Sequence, residues 1–242
     1  MPDSLVIIPT YNEKENIEKM IRKVFSLSVP FHVLIVDDGS PDGTAAIVKK
    51  LMNEFTGKLF IEERNGKQGL GTAYIHGFNW GLARAYEYIF EMDADFSHNP
   101  EDLIRLREAC MKGADVAVGS RYTKGGKVEN WPANRVLMSK YASLYVQMIL
   151  WVNIHDTTAG FKCYRRRVLE AIDFSKIKFT GYAFQIEMKY TASQLGFKIV
   201  EVPITFKDRT EGVSKMSMGI FKEAFWGVLQ MKFKKIEKRK KI

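Results

Sequence analysis

The 242-residue sequence has only two cysteines, Cys110 and Cys163, and they lack the close spacing of metal-binding thiols. Two isolated thiols argue against a disulfide framework or a cysteine-based zinc site, and they fit a reducing, cytosolic setting. No uncharged apolar run reaches the roughly 18 residues of a membrane-spanning helix, since the nearest, 141–154, has 14. Met1 to Asp3 lead directly into an apolar segment, so we expect no signal peptide.

Positive charge is concentrated at one end of the chain. Of the net charge of +9, residues 232–242 contribute +6, from seven cations and one anion, which leaves +3 for the rest. The pI of about 9.4 is therefore largely a property of the tail and does not indicate a nucleic-acid-binding face. Hydrophobic residues make up 46% of the sequence, enough for a substantial core.

Strand and helix patterns alternate through the first half of the chain. Apolar runs predict strands over 5–9, 32–36, 59–62, 87–92 and 116–119. Helical spacing and turn residues predict helices over 13–25, 44–55, 71–85 and 100–111. This order predicts an α/β fold with a mostly parallel, Rossmann-like sheet, helices on both faces, and ligands at the carboxyl ends of the strands.

The regular alternation of predicted strands and helices ends after residue 122. Residues 124–127 are predicted to form a mobile loop and residues 134–152 a long helix. A short segment at 161–164, a helix over 182–195 and a strand over 199–203 follow, before a terminal helix from about residue 217.

Two aspartates follow the fourth predicted strand. Asp93 and Asp95 are two residues apart, so their side chains point the same way if the backbone stays extended. Paired carboxylate oxygens suit a hard divalent cation, which commonly shares its shell with substrate phosphates. Taken alone, Asp-x-Asp is typical of solvated turns, so the other strand ends must decide the interpretation.

Polar residues also follow the first two predicted strands. The stretch 9–13 reads most simply as a helix start capped by Thr10 or Asn12. Asp37 and Asp38 are not needed for turning, and carboxylates there could accept hydrogen bonds from a nucleotide base or ribose.

Four motifs come in order at successive strand ends. They are Pro9-x-Tyr11-Asn12-Glu13, Asp37-Asp38-Gly39-Ser40-x-Asp42-Gly43-Thr44, Asn65-x-x-x-Gly69-x-Gly71-x-Ala73 and Asp93-x-Asp95. With them, residues 4–215 resemble the family 2 glycosyltransferases, inverting enzymes of GT-A fold. The stretches 93–100, 119–122, 156–161 and 209–215 further resemble the polyprenyl- or dolichyl-phosphate mannose synthases. The resemblance implies transfer of mannose from GDP-mannose to a polyprenyl phosphate, giving the β-linkage.

The same resemblance implies roles for the donor-binding residues. The nucleoside pocket would be lined by Pro9, Tyr11, Glu13, Val36 and Asp38. Asp93, Ala94 and Asp95 would meet the diphosphate and sugar, with Mg²⁺ or Mn²⁺ on Asp95 and with Ser97 or Asp93 adding to its shell. Arg209 and Lys215 would neutralise the leaving diphosphate from a closing loop, although a solvated basic loop is the plain alternative.

The acceptor chemistry calls for cations and for no general base. A phosphate monoester has a second pKa of about 6, so it is largely dianionic near neutral pH and acts as its own nucleophile. Arg121 follows the fifth strand with no acidic neighbour in sequence, and Arg135 and Ser139 lie one turn apart on the long helix. The resemblance assigns all three to the acceptor phosphate, although the helix pair could equally be an amphipathic polar edge.

Several other polar residues receive lesser roles. We expect His98 to belong to cap and turn structure, His155 to be structural, and Asp156 to support the acceptor loop. A sugar contact from Gln185 or Glu187 is a further hypothesis.

The C-terminal residues predict a membrane contact. We expect residues 1–216 to form the catalytic domain and 217–242 a basic amphipathic segment. Its apolar positions follow helical spacing: Ile220, Phe221, Ala224, Phe225, Val228, Leu229, Phe233 and Ile236. Such a helix favours peripheral attachment to the cytoplasmic face of an anionic membrane, although packing onto the domain or a partner stays open. The residues leave a UDP-sugar donor such as UDP-glucose as the alternative, and they leave the oligomeric state open.

Overall fold

The computed structural model of the protein describes residues 3–208, 218–234 and 236–237. The strands are β1 Ser4–Thr10, β2 His32–Asp37, β3 Leu59–Glu63, β4 Tyr88–Glu91, β5 Val116–Ser120, β6 Lys127–Glu129, β7 Lys162–Arg165, β8 Ile199–Pro203 and β9 Thr205–Lys207. The helices are α1 Ile17–Phe25, α2 Thr44–Glu54, α3 Leu70–Leu82, α4 Asp102–Met111, α5 Ala133–Leu150, α6 Arg166–Ala171, α7 Tyr182–Gln194 and α8 Met218–Lys232.

Seven strands form one sheet in the order β3-β2-β1-β4-β7-β5-β8. Strand β7 runs antiparallel to both β4 and β5, and the other neighbouring pairs are parallel. The predicted mostly parallel sheet is therefore confirmed. The short segment predicted at 161–164 is the antiparallel strand that divides the sheet.

Alternation along the strands buries both faces of the sheet. Val6 and Ile8 of β1 point toward α1, α2 and α4, whereas Leu5 and Ile7 point toward α3, α6 and α7. All four side chains are fully buried. Burial on both faces explains why these strands read as continuous apolar runs rather than as alternating ones.

Helix α3 approaches the sheet closely because it carries glycine at its contact points. A Cβ on Gly77 would lie 2.6 Å from the Ile7 side chain, and one on Gly71 would lie 2.7 Å from the Phe184 ring. This approach places the fully buried Tyr74 beneath the carboxyl end of β4.

The structure differs from the sequence predictions at two loops. Helix α1 begins at Ile17 rather than at residue 13, because the Asn12 and Glu13 N–H groups donate to Ser40 Oγ and Thr44 Oγ1, both at 3.0 Å. The stretch 124–127 was predicted as a mobile loop, but its last residue, Lys127, starts β6, which pairs with β9 in a parallel two-stranded sheet. Neither contact is visible in local sequence, since each joins distant segments.

Helices α5, α7 and α8 share a third apolar cluster. Val146 and Leu150 of α5 pack with Val228 and Met231 of α8. The proposed domain boundary at residue 216 lies outside the described residues and stays a prediction. Within the described part of the chain, no helix has the length and apolar character needed to cross a membrane.

Candidate active site

A pocket of about 340 Å³ lies at the carboxyl ends of β1, β4 and β5. It brings together most of the residues that the sequence singled out: Pro9, Tyr11, Glu13, Asp38, Asp93, Ala94, Asp95, Ser97, Arg121 and Arg135. Val36 and Ser139 are not among its lining residues. The Val36 side chain is fully buried in the core on β2, so its contact with the nucleoside stays a prediction. Arg209 and Lys215 lie outside the described residues.

The two adjacent aspartates after β2 have different surroundings. Asp37 is buried and accepts hydrogen bonds from Thr10 Oγ1 at 2.8 Å and from Ser40 Oγ at 2.6 Å. Asp38 lines the pocket, and its Oδ1 accepts from Arg64 Nε at 2.7 Å. Asp37 therefore holds the loop, while Arg64, which sequence reasoning missed, holds Asp38 at the pocket wall.

Asp93 and Asp95 are half-buried and individually positioned. The Tyr74 hydroxyl donates to Asp93 Oδ1 at 3.2 Å, and the Ser97 N–H donates to Asp95 Oδ1 at 3.0 Å. Phe96 has a φ of +58°, an unusual left-handed conformation for a bulky residue. The chain therefore turns sharply directly after Asp95, which fixes both carboxylates at the end of β4.

The donor atoms at this point fit a magnesium-type cation that is completed by a substrate. The described residues contain no group of three or more His, Cys, Asp or Glu side chains arranged around a common metal position. Two carboxylates together with phosphate oxygens are a usual shell for Mg²⁺, which keeps few all-protein ligands. Asp93 and Asp95 thus suit a metal that arrives with a diphosphate.

A cluster of buried polar side chains orients Gln185, another residue of the pocket wall. Gln185 lines the pocket, its Nε2 donates to Glu91 Oε2 at 2.8 Å, and its Oε1 accepts from Lys162. Lys162 Nζ also lies 3.1 Å from Glu91 Oε2, and although burial lowers the pKa of Lys162, Glu91 opposes that shift. Glu187 instead is buried, does not line the pocket and accepts from the Lys178 and Phe179 N–H groups, which gives no support to a sugar contact.

Arg121 is held by a carboxylate that lies 35 residues away in sequence. Its Nε and Nη2 donate to Asp156 at 2.7 and 2.6 Å, its N–H donates to the same carboxylate, and Nη2 also donates to Thr158. Burial by itself would lower the pKa of Arg121, but the charge of Asp156 raises it above its ordinary value. Arg121 therefore remains a buried cation whose orientation is fixed, and Asp156 has the supporting role that the sequence predicts.

Arg135 is more accessible than Arg121. It stands in the first turn of α5, its guanidinium lies 4.0 Å from the centre of the Trp131 ring, and its Nη1 is 3.0 Å from Asp208. Ser139 stands one turn later on the same helix and is half-buried. Trp131 and Asp208 line the pocket and belong to no motif, so the sequence carried no signal for them.

His98 lies in the bend that follows β4, and its side chain lines the pocket. Its ring stacks on Phe161 with centroids 4.9 Å apart, while the Asn99 side chain caps the following turn by accepting from the Glu101 N–H. Burial lowers the pKa of His98 to about 4. The imidazole is therefore neutral near pH 7. His155 contacts Glu201 at 2.6 Å, which agrees with its expected structural role.

Solved structures with the same architecture identify the fold. Glucosyl-3-phosphoglycerate synthase from Mycobacterium tuberculosis, in complex with Mn²⁺ and UDP, aligns with a TM-score of 0.70 and 16% identity over 94% of this chain and 78% of that one. A mannosyltransferase from Pyrobaculum calidifontis, in complex with GDP-Man and Mn²⁺, aligns with a TM-score of 0.57 and 14% identity over 95% and 70%. The fold is the GT-A glycosyltransferase fold.

Sequence comparison then specifies the family. Residues 5–173 match the Glycosyl transferase family 2 model. Polyprenol monophosphomannose synthase from Mycolicibacterium smegmatis is 50% identical over 93% of this chain and 87% of its own length. Undecaprenyl-phosphate mannosyltransferase from Micrococcus luteus is 46% identical over 93% of each chain. This chain belongs to glycosyl transferase family 2, as its strand-end motifs predict.

Proposed function

We propose that this protein transfers mannose from GDP-mannose to a polyprenyl phosphate, with inversion, to give polyprenyl-phosphate β-mannose. The observation that carries the proposal is one pocket with a carboxylate pair, Asp93 and Asp95, and an arginine pair, Arg121 and Arg135. Both relatives described above are named for mannosyl transfer to a polyprenyl phosphate, which supports the same lipid acceptor here.

The donor side of the pocket, defined by Asp38, Asp93 and Asp95, would hold the nucleotide sugar. Asp38 suits hydrogen bonds from a base or ribose, as acidic residues do in other doubly wound folds. Asp93 and Asp95, with Ser97 beside them, would hold Mg²⁺ or Mn²⁺, which supplies positive charge to the leaving diphosphate. Arg209 and Lys215 stay our prediction for further positive charge at the same diphosphate.

The acceptor side, defined by Arg121 and Arg135, would hold the lipid phosphate. The dianion needs no general base, so its own oxygen attacks the anomeric carbon. Gln185 and His98 are neutral at pH 7, so the positive charge for the phosphate would come from the two arginines. We keep Ser139 as a predicted phosphate ligand, although it reaches the pocket only by a change of side-chain position.

Attack from the acceptor side, with departure toward the donor side, inverts the anomeric centre in a single displacement. Because the acceptor is a lipid, we propose that the protein works at a membrane surface, on the face exposed to the cytoplasm where the nucleotide sugar is available.

The direct test is transfer of radiolabelled mannose from GDP-mannose to short-chain and long-chain polyprenyl phosphates. We expect labelled lipid with Mg²⁺ or Mn²⁺, and loss of product when a chelator is added. Calorimetric titration with GDP and UDP separates the donors, since we expect tighter binding of GDP. Transfer from UDP-glucose but not from GDP-mannose would replace the proposal with the glucosyl alternative.

A further inference from the structure

Exposed hydrophobic side chains gather on one part of the surface. The described residues contain twelve exposed large hydrophobic side chains, and nine of them lie on α5, α8 or the residue that follows either helix. Scattered exposed hydrophobics are ordinary, but a contiguous patch of this kind marks an interaction site.

Helix α5 carries most of this patch. Leu137, Tyr141, Leu144, Met148 and Trp151 follow one another at intervals of four, three, four and three residues, which places them on one helix face. Each is between 46% and 85% exposed. Since the helix rises about 1.5 Å per residue, this stripe is about 21 Å long.

The opposite face of α5 already has its partners. Ser143, Val146 and Leu150 are buried, and the last two pack with residues of α7 and α8. The helix therefore does not need the outer stripe in order to fold onto the domain. The exposed side chains of the stripe therefore contribute little to the stability of the described structure.

Helix α8 extends the same surface. The Tyr145 and Phe225 rings stack with centroids 4.9 Å apart, and the Tyr145 hydroxyl donates to the Phe225 carbonyl at 3.1 Å. Trp226 is 63% exposed and Phe233 87% exposed. This distribution refines the sequence prediction for the terminal helix, because Val228 of its apolar stripe is buried against the domain while Phe225 and Phe233 face outward.

Trp151 shows most clearly that the patch does not serve folding. It caps α5 with a φ of +55°, a conformation that costs energy for a bulky residue, and its side chain is 85% exposed. Tryptophan and tyrosine are the residues that favour the boundary between lipid headgroups and acyl chains. The exposed indole of Trp151 therefore has the side-chain chemistry of a membrane-interface residue.

The charge around the patch suits an anionic surface. Helix α5 contains Arg135 and Lys140 and no acidic residue. The Lys232 Nζ lies 4.9 Å from the centre of the Trp151 ring, and residues 232–242 carry seven cations in sequence. Aromatic and aliphatic side chains bordered by lysines are the composition of helices that lie in an anionic membrane interface.

One end of the patch lies at the same end of α5 as the acceptor side. Arg135, which lines the pocket, and Leu137, where the stripe begins, are both in the first two turns of the helix, although they point to different faces. A bilayer against this stripe would bring lipid phosphates to the pocket entrance at the N-terminal end of α5.

We propose that the outer face of α5, joined by the exposed aromatics of α8, is the surface with which this protein lies on an anionic lipid bilayer. The orientation relative to the pocket rests on the proposed function, because it is the lipid phosphate acceptor that makes this placement useful. The surface contact itself can be measured without any enzymatic turnover.

The test is flotation of the full chain with vesicles of phosphatidylglycerol and phosphatidylcholine, compared with vesicles of phosphatidylcholine alone. We expect the wild type to float with the anionic vesicles. The double variant Leu144→Glu with Met148→Glu should lose binding by about tenfold or more, because it places charge where acyl chains would lie. Met111→Glu, at a 57% exposed methionine on α4, is the matched control and should bind like the wild type.

Activity separates this proposal from the enzymatic one. With a short, water-soluble prenyl phosphate, the double variant should react like the wild type, whereas with long-chain acceptor in vesicles it should lose activity in parallel with binding. Absence of transfer to either acceptor by the wild type would overturn the proposed function, while flotation would still test the surface.

Two results would overturn the proposal that this surface binds a membrane. One is unchanged vesicle binding by a double variant that keeps the wild-type melting temperature. The other is a wild-type dimer, measured by light scattering, that becomes a monomer in the double variant while vesicle binding persists. The second result would assign the patch to contact between two copies of the chain.

Discussion

The donor side and the acceptor side of the pocket are built from different kinds of charge. On the donor side, Asp93 and Asp95 lie half-buried at the end of one strand, where a tyrosine hydroxyl and a main-chain N–H orient them. On the acceptor side, Arg121 and Arg135 each contact a carboxylate, and these partners lie 35 and 73 residues away in sequence. The two carboxylates of the proposed metal site are thus neighbours in sequence, whereas the ion pairs of the acceptor side join distant segments.

The two arginines also differ from each other. The side chains of Arg121 and Asp156 are 6% and 0% exposed, whereas those of Arg135 and Asp208 are 31% and 30% exposed. A buried, bidentate pair fixes geometry, and a half-exposed pair can exchange its partner at low cost. Arg121 therefore provides a positive charge at a fixed position. Arg135 is the arginine whose side chain can reorient toward an incoming phosphate.

The largest expected effect tests the donor side. Asp95→Ala should lower the transfer rate by about 10³-fold, because it removes a ligand of the cation that neutralises the leaving diphosphate. The measurement is the steady-state rate with GDP-mannose and a short-chain acceptor. Glu101→Ala, which removes an exposed carboxylate outside the pocket, should react like the wild type. A variant at Asp95 that keeps wild-type turnover would remove this residue from the metal site.

The next prediction compares how much each of the two ion pairs contributes to the free energy of unfolding. Asp156→Ala should lower the free energy of unfolding by about 3 kcal/mol, because it leaves Arg121 buried without its partner. Asp208→Ala should lower it by less than about 1 kcal/mol, since that pair is partly solvated. Urea unfolding followed by circular dichroism measures both values. Equal losses would contradict the contrast between a rigid arginine and an exchangeable one.

The pH dependence of the buried pair has a defined sign. Burial opposes ionisation of Asp156, but the charge of Arg121 and its hydrogen bonds lower the Asp156 pKa below its ordinary value. Its contribution to stability is therefore complete above the unfolded pKa of about 3.9 and is lost as pH falls through the lower folded pKa. The difference in the free energy of unfolding between wild type and Asp156→Ala should stay constant from about pH 5 to 8. If this difference instead decreased between pH 8 and pH 5, the pair would not be ionised over the whole range.

A smaller effect tests the exchangeable arginine. Arg135→Ala should raise the KM for the lipid phosphate by about 10- to 30-fold, the value of one charge-assisted contact, and should leave GDP binding unchanged. Initial rates over a range of acceptor concentrations, with calorimetry for GDP, measure both properties. Arg22→Ala removes an exposed, carboxylate-paired arginine on α1 and is the matched control. Loss of GDP binding in Arg135→Ala would reverse the assignment of the two sides.

The smallest effect concerns Ser139. Because Ser139 does not line the pocket, Ser139→Ala should change the acceptor KM by less than about threefold. A change as large as that of Arg135→Ala would show that the serine moves into the pocket when the acceptor binds.

Much of the donor side could be predicted from the sequence because parallel strands impose it. The carboxyl ends of β1, β2 and β4 lie along one edge, so residues that follow these strands must converge there. The Val36 side chain, one position before the end of β2, points into the core, so a nucleoside contact there stays a prediction. The local stretch 98–100 predicts cap and turn structure for His98, whereas its stacking partner Phe161 lies 63 residues away and gives no local signal.

The sequence by itself determined a mostly parallel sheet and two carboxylates at the end of its fourth strand, because strand periodicity and strand-end position are local properties. The tertiary structure alone decided which carboxylate neutralises each arginine and how Gln185 is oriented by Glu91 and Lys162. It also decided that the outer face of α5 stays uncovered. These features depend on segments that meet only after folding, since an antiparallel β7 inside a parallel sheet and a second sheet of β6 and β9 follow from no local pattern.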